Sequence, residues 1–278
     1  MPTPRPRSDD EEFWREFLTR GDSAERRARR LLRVLPHGPR CKLCAAPFGG
    51  PTAPLMRALG KVPADKNPSV CRGCFRFMEQ HHGGAEIDGS YLFADIRGST
   101  TLAEGMPATE FRRLIDRFYA VAAKVVFAHD GGIDKFVGDE VVAFFFPLMS
   151  GPRHAVAATS AAIELLRETG HEDPDGPWVP VGVGVSSGMA WVGAVGDQQR
   201  TDLTALGDVV NVAARLGGAA RAGEVLMTVE AARAAGLDHD RAPRAIELKG
   251  KSAPVEVVSL RISPERSRPG WHERGWKD

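Results

Sequence analysis

Residues 87–262 alternate between short strand-like runs and longer helix-like segments, and this alternation limits the fold more than any other feature of the sequence. Runs rich in β-branched and aromatic residues, such as residues 140–146, are typical of strands. Because a sheet and the helices beside it must bury their apolar faces against each other, this order predicts one layered α/β domain.

The chain outside this domain divides into three segments of different composition. Residues 1–8 carry three prolines and no hydrophobic pattern, which predicts a disordered leader. Residues 263–278 have no periodicity, which predicts a flexible tail. Residues 9–86 are expected to form a helical and loop-rich amino-terminal region that contains a metal-binding module.

Two short helices are expected in the amino-terminal region. The first begins after Ser8, where a run of acidic residues favours the positive end of a helix dipole. The second spans about residues 24–35 and carries many arginines. We interpret its basic face as solvated and also touching its own domain, with a phosphate or acidic-lipid patch as the alternative.

All four cysteines of the chain lie in two C-x-x-C pairs, Cys41 with Cys44 and Cys71 with Cys74. A two-residue spacer lets both thiolates of a pair reach one tetrahedral ion, so one structural zinc ion is the expected occupant. The 26 residues between the pairs exceed the usual spacing, and an iron–sulfur cluster or a redox dithiol pair are the alternatives. A closed four-thiolate site would fix the amino-terminal helices against the α/β domain.

Charge and composition exclude several classes of protein. The 37 basic residues nearly cancel the 36 acidic ones, which leaves no general attraction to nucleic acid or to an anionic membrane. No apolar run approaches the roughly 18 residues that a membrane-spanning helix requires. Sparse cysteines and an amino terminus without a secretory pattern predict a cytoplasmic protein.

Two aspartates follow predicted strands at positions suited to metal binding. Asp95 comes directly after a buried strand, and Asp139 lies with Gly138 at the expected hairpin turn between two strands. Carboxylates delivered by adjacent strand ends can share hard cations such as Mg²⁺, which also hold substrate phosphates. The alternative is that each aspartate serves only its own turn.

Four segments together resemble the motifs of class III nucleotidyl cyclases. The segment around Asp95 resembles the first metal-binding motif of that family, and residues 134–140 (DKFVGDE) resemble the second. Residues 206–216 are similar to the helix motif, and residues 247–251 are similar to the closing phosphate-binding motif. The motifs occur in the family order over about residues 87–262. The resemblance implies a ferredoxin-like βαββαβ core with extra strands, and it does not reach the cysteines.

The resemblance also implies roles for individual residues. Asp95, the Ile96 carbonyl and Asp139 would hold two Mg²⁺ or Mn²⁺ ions. Asn211 would orient the ribose, and Arg215 would stabilise charge on the transferring phosphate. These two residues are four apart on a predicted helix, so their side chains share one face.

Three further residues are implied to bind the substrate. Lys135 would donate to a ring nitrogen of adenine, and Lys249 would hold the terminal phosphates. Thr204 stands where many family members have an aspartate that accepts from the adenine amino group, and a hydroxyl can accept the same bond. The glutamate and cysteine typical of guanine-specific relatives are absent from these two positions, which favours adenine.

The implied reaction converts ATP to 3′,5′-cyclic AMP and pyrophosphate by two-metal catalysis. In the family the two halves of the site come from opposite subunits, which implies a head-to-tail homodimer of this chain. Guanylate cyclases and pyrimidine (CTP or UTP) cyclases are the alternatives on the same fold, and a diguanylate cyclase is disfavoured because the second glycine of its turn is missing. A catalytically inactive, zinc-stabilised nucleotide-binding module is the non-enzymatic alternative. The sequence leaves open any regulatory partner of the amino-terminal module.

Overall fold

The structure is a computed structural model that describes residues 8–20, 27–29, 31–32, 35, 39–196, 201–237 and 242–264. The helices of the amino-terminal region are α1 (Ser8–Thr19), α2 (Ala53–Ala58) and α3 (Arg72–Gln80). The first half of the following region contains β1 (Gly83–Ile96), α4 (Ser99–Glu104), α5 (Ala108–Ala128), β2 (Gly132–Val137), β3 (Glu140–Phe145), α6 (Pro147–Ser150) and α7 (His154–Glu168). The second half contains β4 (Val181–Gly196), β5 (Thr201–Leu206), α8 (Asp208–Ala219), β6 (Glu224–Thr228), α9 (Val229–Ala234), β7 (Arg244–Ile246) and β8 (Val255–Arg261).

The strands form one mixed sheet in the order β2-β3-β1-β4-β6-β8-β7, with β5 paired to the far end of β4. The order β1, α5, β2, β3, α7, β4 gives the expected βαββαβ core. Strand β1 is antiparallel to both β3 and β4, so it is an interior strand of the sheet. The carboxyl end of β1 therefore lies beside the β2–β3 turn.

Helices α5 and α7 cover one face of the sheet. Strand side chains alternate between faces, and Leu92, Ala94 and Ile96 of β1 point into the core formed with Phe118 and Leu165 of these helices. All five side chains are essentially buried. This face is an apolar core and leaves the other face for the site.

Helix α8 packs directly on the second face. A Cβ atom added to Gly184 of β4 would lie 2.1 Å from the backbone nitrogen of Gly217, so the helix and the strand touch through their backbones. The inward side of α8 is apolar and includes Val212 and Leu216. This contact fixes the outward residues of α8 relative to the end of β1.

The amino-terminal region packs on the same face. Trp14 and Leu18 of α1 are fully buried in a cluster shared with Met78 of α3 and Phe144 of β3. The Trp14 indole N–H donates to the His81 carbonyl at 3.2 Å. Helix α1 begins at Ser8, as the sequence predicts. The division between the two regions near residue 86 remains a proposal, because their side chains share this core.

The expected second helix is only partly described. Residues 27–29 and 31–32 are helical, whereas Arg26, Arg30 and Arg33 lie outside the described residues. The second helix touches its own domain, as expected, but it does so through Arg29, which is only 6% exposed and is therefore not part of a solvated face. Its guanidinium donates to the carbonyls of Leu43 and of Gly131, the latter at 2.9 Å. The amino-terminal region folds over this arginine and thereby buries it.

The predicted leader and tail fall almost entirely outside the described residues, which begin at residue 8 and end at residue 264. Within the described part of the chain, none of the helices combines the length and the apolar character needed to cross a membrane.

Candidate functional site

The predicted hairpin brings two of the expected metal ligands together. Gly138 adopts a positive φ of 62°, which permits the tight turn into Asp139. The Tyr119 hydroxyl donates to the Gly138 carbonyl at 2.5 Å and so supports the turn from helix α5. At the end of β1, the Ile96 N–H donates to the Asp139 carbonyl at 3.3 Å. Asp95 and Asp139 therefore lie side by side.

Three carboxylates, those of Asp95, Asp139 and Glu140, lie close together at the end of β1. Burial raises the pKa of Asp95, and Asp139 raises it further, against the opposing effect of Arg97. Burial also raises the pKa of Glu140, with Asp95 and Asp139 as additional causes. Glu140 lies directly opposite Asp95 in the β1–β3 register. A divalent cation would relieve this repulsion, and carboxylate oxygens are the ligands that Mg²⁺ and Mn²⁺ prefer.

The third expected metal ligand, Ile96, can contribute only its backbone. Its side chain is 1% exposed and points into the core on the opposite face of the sheet. The carbonyl is therefore the only group of Ile96 with the chemistry of a metal ligand, as the resemblance implies.

Arg97 is a site residue that the sequence analysis missed. Its guanidinium forms an ion pair with the Asp95 carboxylate and also donates to the Gly218 carbonyl at 2.6 Å. Arg97 thus links the carboxylates to the carboxyl-terminal end of α8. A metal ion bound by Asp95 must share that carboxylate with Arg97 or displace the arginine. The position of Arg97, two residues after Asp95 in the same turn, is the signal that could have found it.

The two expected base-binding residues lie on neighbouring strands and contact each other. The Lys135 ammonium group on β2 lies 3.4 Å from the Thr204 hydroxyl on β5. A β-bulge between Ile133 and Lys135 turns Asp134 inward, so its side chain is 4% exposed whereas that of Lys135 is 50% exposed. Asp134 accepts a bond from Thr204 at 3.0 Å and lies 3.2 Å from Lys135. We refer to Lys135 and Thr204 as the base-recognition pair.

Helix α8 and the loop after β7 bring the remaining predicted residues together. Asn211 is exposed and Arg215 is half-buried on the outward side of the helix. A Cβ atom added to Gly250 would lie 3.3 Å from an Arg215 guanidinium nitrogen, so the loop carrying Lys249 lies against Arg215. Lys251 fastens this loop to the start of α8 through Asp208, at 2.8 Å. Lys249 itself is exposed.

The four cysteines form one compact cluster, as predicted. Their sulfur atoms all lie within 4.8 Å of one another, and those of Cys44 and Cys71 are 3.8 Å apart. Thiolates bound tetrahedrally to a zinc ion at about 2.3 Å stand about 3.8 Å apart, so the spacing fits one ion. The Cys71 N–H also points at the Cys41 sulfur, at 3.3 Å. The cluster can hold a metal ion.

The four thiols of the cluster differ in acidity. Burial raises the pKa of Cys41, and hydrogen bonds from the other cysteines raise that of Cys74. Hydrogen bonds from the other three cysteines lower the pKa of Cys71. Burial lowers the pKa of Arg29, and the nearby thiolates act in the opposite direction. For Lys61 the four cysteines outweigh burial and raise the pKa. Two cations thus flank the cluster and balance its charge.

The profile of the adenylate and guanylate cyclase catalytic domain matches residues 87–259. An adenylyl cyclase of P. aeruginosa, CyaB, is 31% identical with a TM-score of 0.55, and the similarity covers 63% of this chain and 94% of that one. The guanylyl cyclase Cya2 is 25% identical with a TM-score of 0.57, over 65% of this chain and 100% of that one. The chain belongs to the adenylate and guanylate cyclase catalytic domain family.

The curated relatives are longer proteins. An uncharacterised protein of Mycobacterium tuberculosis (strain CDC 1551 / Oshkosh) is 33% identical over 193 residues, which make up 68% of this chain and 33% of the relative. An uncharacterised protein of Mycobacterium bovis is 37% identical over 134 residues, or 48% of this chain and 24% of the relative. The chain thus spans a third or less of the length of these relatives.

Proposed function

We propose that the protein converts ATP to 3′,5′-cyclic AMP and pyrophosphate. The observation that carries the choice of ATP is the contact between Lys135 and Thr204. Lys135 offers a donor to the unprotonated ring nitrogen of adenine, and Thr204 offers an acceptor to the amino group. Retention of both metal aspartates supports an enzyme over an inactive nucleotide-binding module.

The reaction is an intramolecular displacement. The ribose 3′-oxygen forms a bond to the α-phosphorus, the bond from that phosphorus to the bridging oxygen breaks, and pyrophosphate leaves with the electron pair. The proton of the 3′-hydroxyl passes to solvent. Positioning and charge stabilisation therefore supply most of the catalysis.

Residues of helix α8 and its neighbouring loop act on the phosphates and the ribose. Arg215 presents a fork of donors to the α-phosphate oxygens, where negative charge develops. Asn211, one turn earlier on the same face, orients the ribose ring. Lys249 holds the terminal phosphates as a mobile point charge.

Two Mg²⁺ or Mn²⁺ ions are the proposed cofactors of this site. Asp95, Asp139 and the Ile96 carbonyl would hold them, and bound ions would supply Lewis-acid activation and neutralise phosphate charge. The raised pKa of Asp95 shows that its negative charge is unfavourable without a cation nearby, and the ion pair with Arg97 shows that a cation is bound there.

We propose that the working unit is a head-to-tail homodimer with two equivalent sites. Exposed apolar side chains flank the site residues in the single chain. Phe136 and Val137, between Lys135 and Asp139, are 41% and 52% exposed. Met189 and Leu206, on the paired strands β4 and β5, are 58% and 52% exposed. Apolar groups of this size around a charged site are what a second copy would cover.

A panel of nucleotides tests the choice of substrate. The purified chain is incubated with ATP, GTP, CTP or UTP in the presence of Mg²⁺ or Mn²⁺, and the products are identified by chromatography and mass spectrometry. We expect ATP to give 3′,5′-cyclic AMP at least about tenfold faster than GTP gives cyclic GMP, since one mismatched hydrogen bond is worth about that factor. A product from CTP, UTP or GTP without one from ATP would contradict the assignment.

For the cysteine cluster we propose one structural zinc ion. The sulfur atoms lie close enough to bind a single ion, whereas an iron–sulfur cluster spreads its thiolates over several iron atoms. Four protein ligands leave no open position for substrate.

The proposed location of the protein is the cytoplasm, where ATP and reduced thiols are both available. A regulatory partner of the amino-terminal region remains a proposal without an identified chemistry.

A further inference from the structure

A lysine that lies between two of the clustered cysteines in sequence contacts the carboxylate behind the base-recognition pair. Lys42 lies between Cys41 and Cys44 in sequence, yet its ammonium group lies 3.4 Å from an Asp134 carboxylate oxygen. It also lies 2.6 Å from Asp202 and donates to the Leu203 carbonyl at 3.0 Å. The Lys42 and Asp134 side chains are 3% and 4% exposed, so their contact is shielded from water, whereas Asp202 is 32% exposed. Three contacts in a buried site hold Lys42 in one position.

The opposite oxygen of Asp134 faces the base-recognition pair. Lys42 contacts one carboxylate oxygen of Asp134, and the second oxygen accepts the Thr204 hydroxyl at 3.0 Å. Lys135 lies 3.2 Å from that second oxygen. The two lysines thus flank one buried carboxylate.

This arrangement fixes the direction of the Thr204 hydrogen bond. A hydroxyl has one proton, and a carboxylate is only an acceptor. Because the Thr204 proton is given to Asp134, only lone pairs of Thr204 remain for a ligand. The Lys135 ammonium group donates to one lone pair of this oxygen, so the second lone pair remains for the substrate. Thr204 can therefore accept a hydrogen bond from a purine 6-amino group. A base with an acceptor at position 6 is disfavoured.

The amino-terminal region also anchors the strand that carries Thr204. The Asn67 side-chain amide donates to the Thr201 carbonyl at 3.0 Å and to Asp202 at 3.1 Å. Its carbonyl oxygen accepts from Ser69, whose own carbonyl accepts from the Lys42 N–H at 3.0 Å. Lys42 and Asn67 are thus joined, and both hold β5.

We propose that Asp134 is a specificity-determining residue for the 6-amino group of the base, and that Lys42 is the positioning residue that holds Asp134. This inference rests on the proposed function, because it concerns the base that the same site binds. It makes the amino-terminal region part of substrate selection. Base preference then depends on a residue outside the cyclase motifs.

Two nucleotides that differ only at position 6 test this inference. The probes are 3′-deoxyadenosine triphosphate and the 3′-deoxyriboside triphosphate of 6-methoxypurine. Both keep an unprotonated ring nitrogen for Lys135, but the first has a donor at position 6 and the second an acceptor. Neither has the 3′-hydroxyl that attacks, so equilibrium binding is measured without turnover, by displacement of a fluorescent nucleotide.

The wild-type chain is expected to bind the amino compound at least about tenfold more tightly than the methoxy compound. Asp134→Asn is expected to lower this ratio about tenfold, because an amide can donate to Thr204 and free its proton. Lys42→Met is expected to lower the ratio about threefold, since Asp134 loses the contact that orients it. Lys66→Met is the matched control, because Lys66 lies in the same region and pairs with Glu79 at the surface; it should leave the ratio unchanged.

A wild-type ratio near one would overturn the inference without any variant. An unchanged ratio in Asp134→Asn, or an equal shift in Lys66→Met, would also overturn it. Thermal unfolding of each variant is measured alongside, and Lys42→Met supplies the test if Asp134→Asn does not fold. A different outcome contradicts the proposed function: a wild-type chain that shows the expected binding ratio but forms no cyclic AMP from ATP.

Discussion

Replacing Asp95 or Asp139 with asparagine is expected to lower ATP turnover by at least about a thousandfold, because charge stabilisation by a metal ion is worth several kcal/mol in the transition state. Asparagine keeps the shape of the side chain but removes the charge that holds a divalent cation. The two carboxylates lie together at the β1 end and the β2–β3 turn, so each change removes half of the charge proposed to hold the ions. Initial rates of cyclic AMP formation at saturating Mn²⁺ measure the effect.

Asp116→Asn is the matched control for these variants. Asp116 is an exposed acid of helix α5 that pairs with Arg112 at 3.0 Å. We expect this variant to keep its rate within about twofold of wild type, because exposed ion pairs contribute little. Size-exclusion chromatography shows whether each variant keeps the association state of the wild type. Near-normal turnover in Asp95→Asn or Asp139→Asn would contradict the two-metal site.

Removing the zinc ion that we propose for the cysteine cluster is expected to destabilise the chain by more than about 4 kcal/mol, a size reached by a short list of changes that includes loss of a structural metal. Cys71→Ser removes the sulfur whose pKa its neighbours lower most clearly. The cluster ties the loop of Cys41 and helix α3, which carries Cys74, to the core around Trp14, so its loss frees much of the amino-terminal region. Chemical denaturation of wild type and variant, each with and without a chelator, measures the change.

The same samples identify the metal. We expect elemental analysis to find about one zinc ion per wild-type chain and none in Cys71→Ser. The chelator should destabilise the wild type and leave the variant unchanged, which serves as the internal control. A visible absorbance band with bound iron would contradict zinc, and equal stability of the metal-free chain would contradict a structural role.

Much of the fold and of the metal site was predictable from residues that lie close together in the sequence. Gly138 and Asp139 are adjacent, and their turn is fixed by residues close in sequence, so the hairpin was predictable. The four-residue spacing of Asn211 and Arg215 likewise places both on the outward side of α8. The cysteine cluster was predicted from the spacing of its two C-x-x-C pairs, and the βαββαβ core was implied by the resemblance to the class III cyclase motifs.

The contacts that were missed join residues far apart in the chain. Lys42 meets Asp134 across 92 positions and Leu203 across 161, and no periodic pattern connects them. The inward turn of Asp134 depends on a bulge in β2, which alternation alone does not indicate. Arg29 lies on an arginine-rich segment, which favours a solvated face, yet its guanidinium is buried and donates to the Leu43 carbonyl. Tertiary packing determined all three positions.

Mixing two inactive variants tests the central claim most directly, namely that two copies of this chain together form each ATP-cyclising site. One chain carries Asp139→Asn and the other Arg215→Ala, and each is expected to be nearly inactive alone. After subunit exchange at equal amounts, half of the dimers are mixed and each has one intact site. We therefore expect about a quarter of wild-type cyclic AMP formation. If the mixture stays as inactive as its components, the two halves of the site do not come from opposite subunits and the account is contradicted.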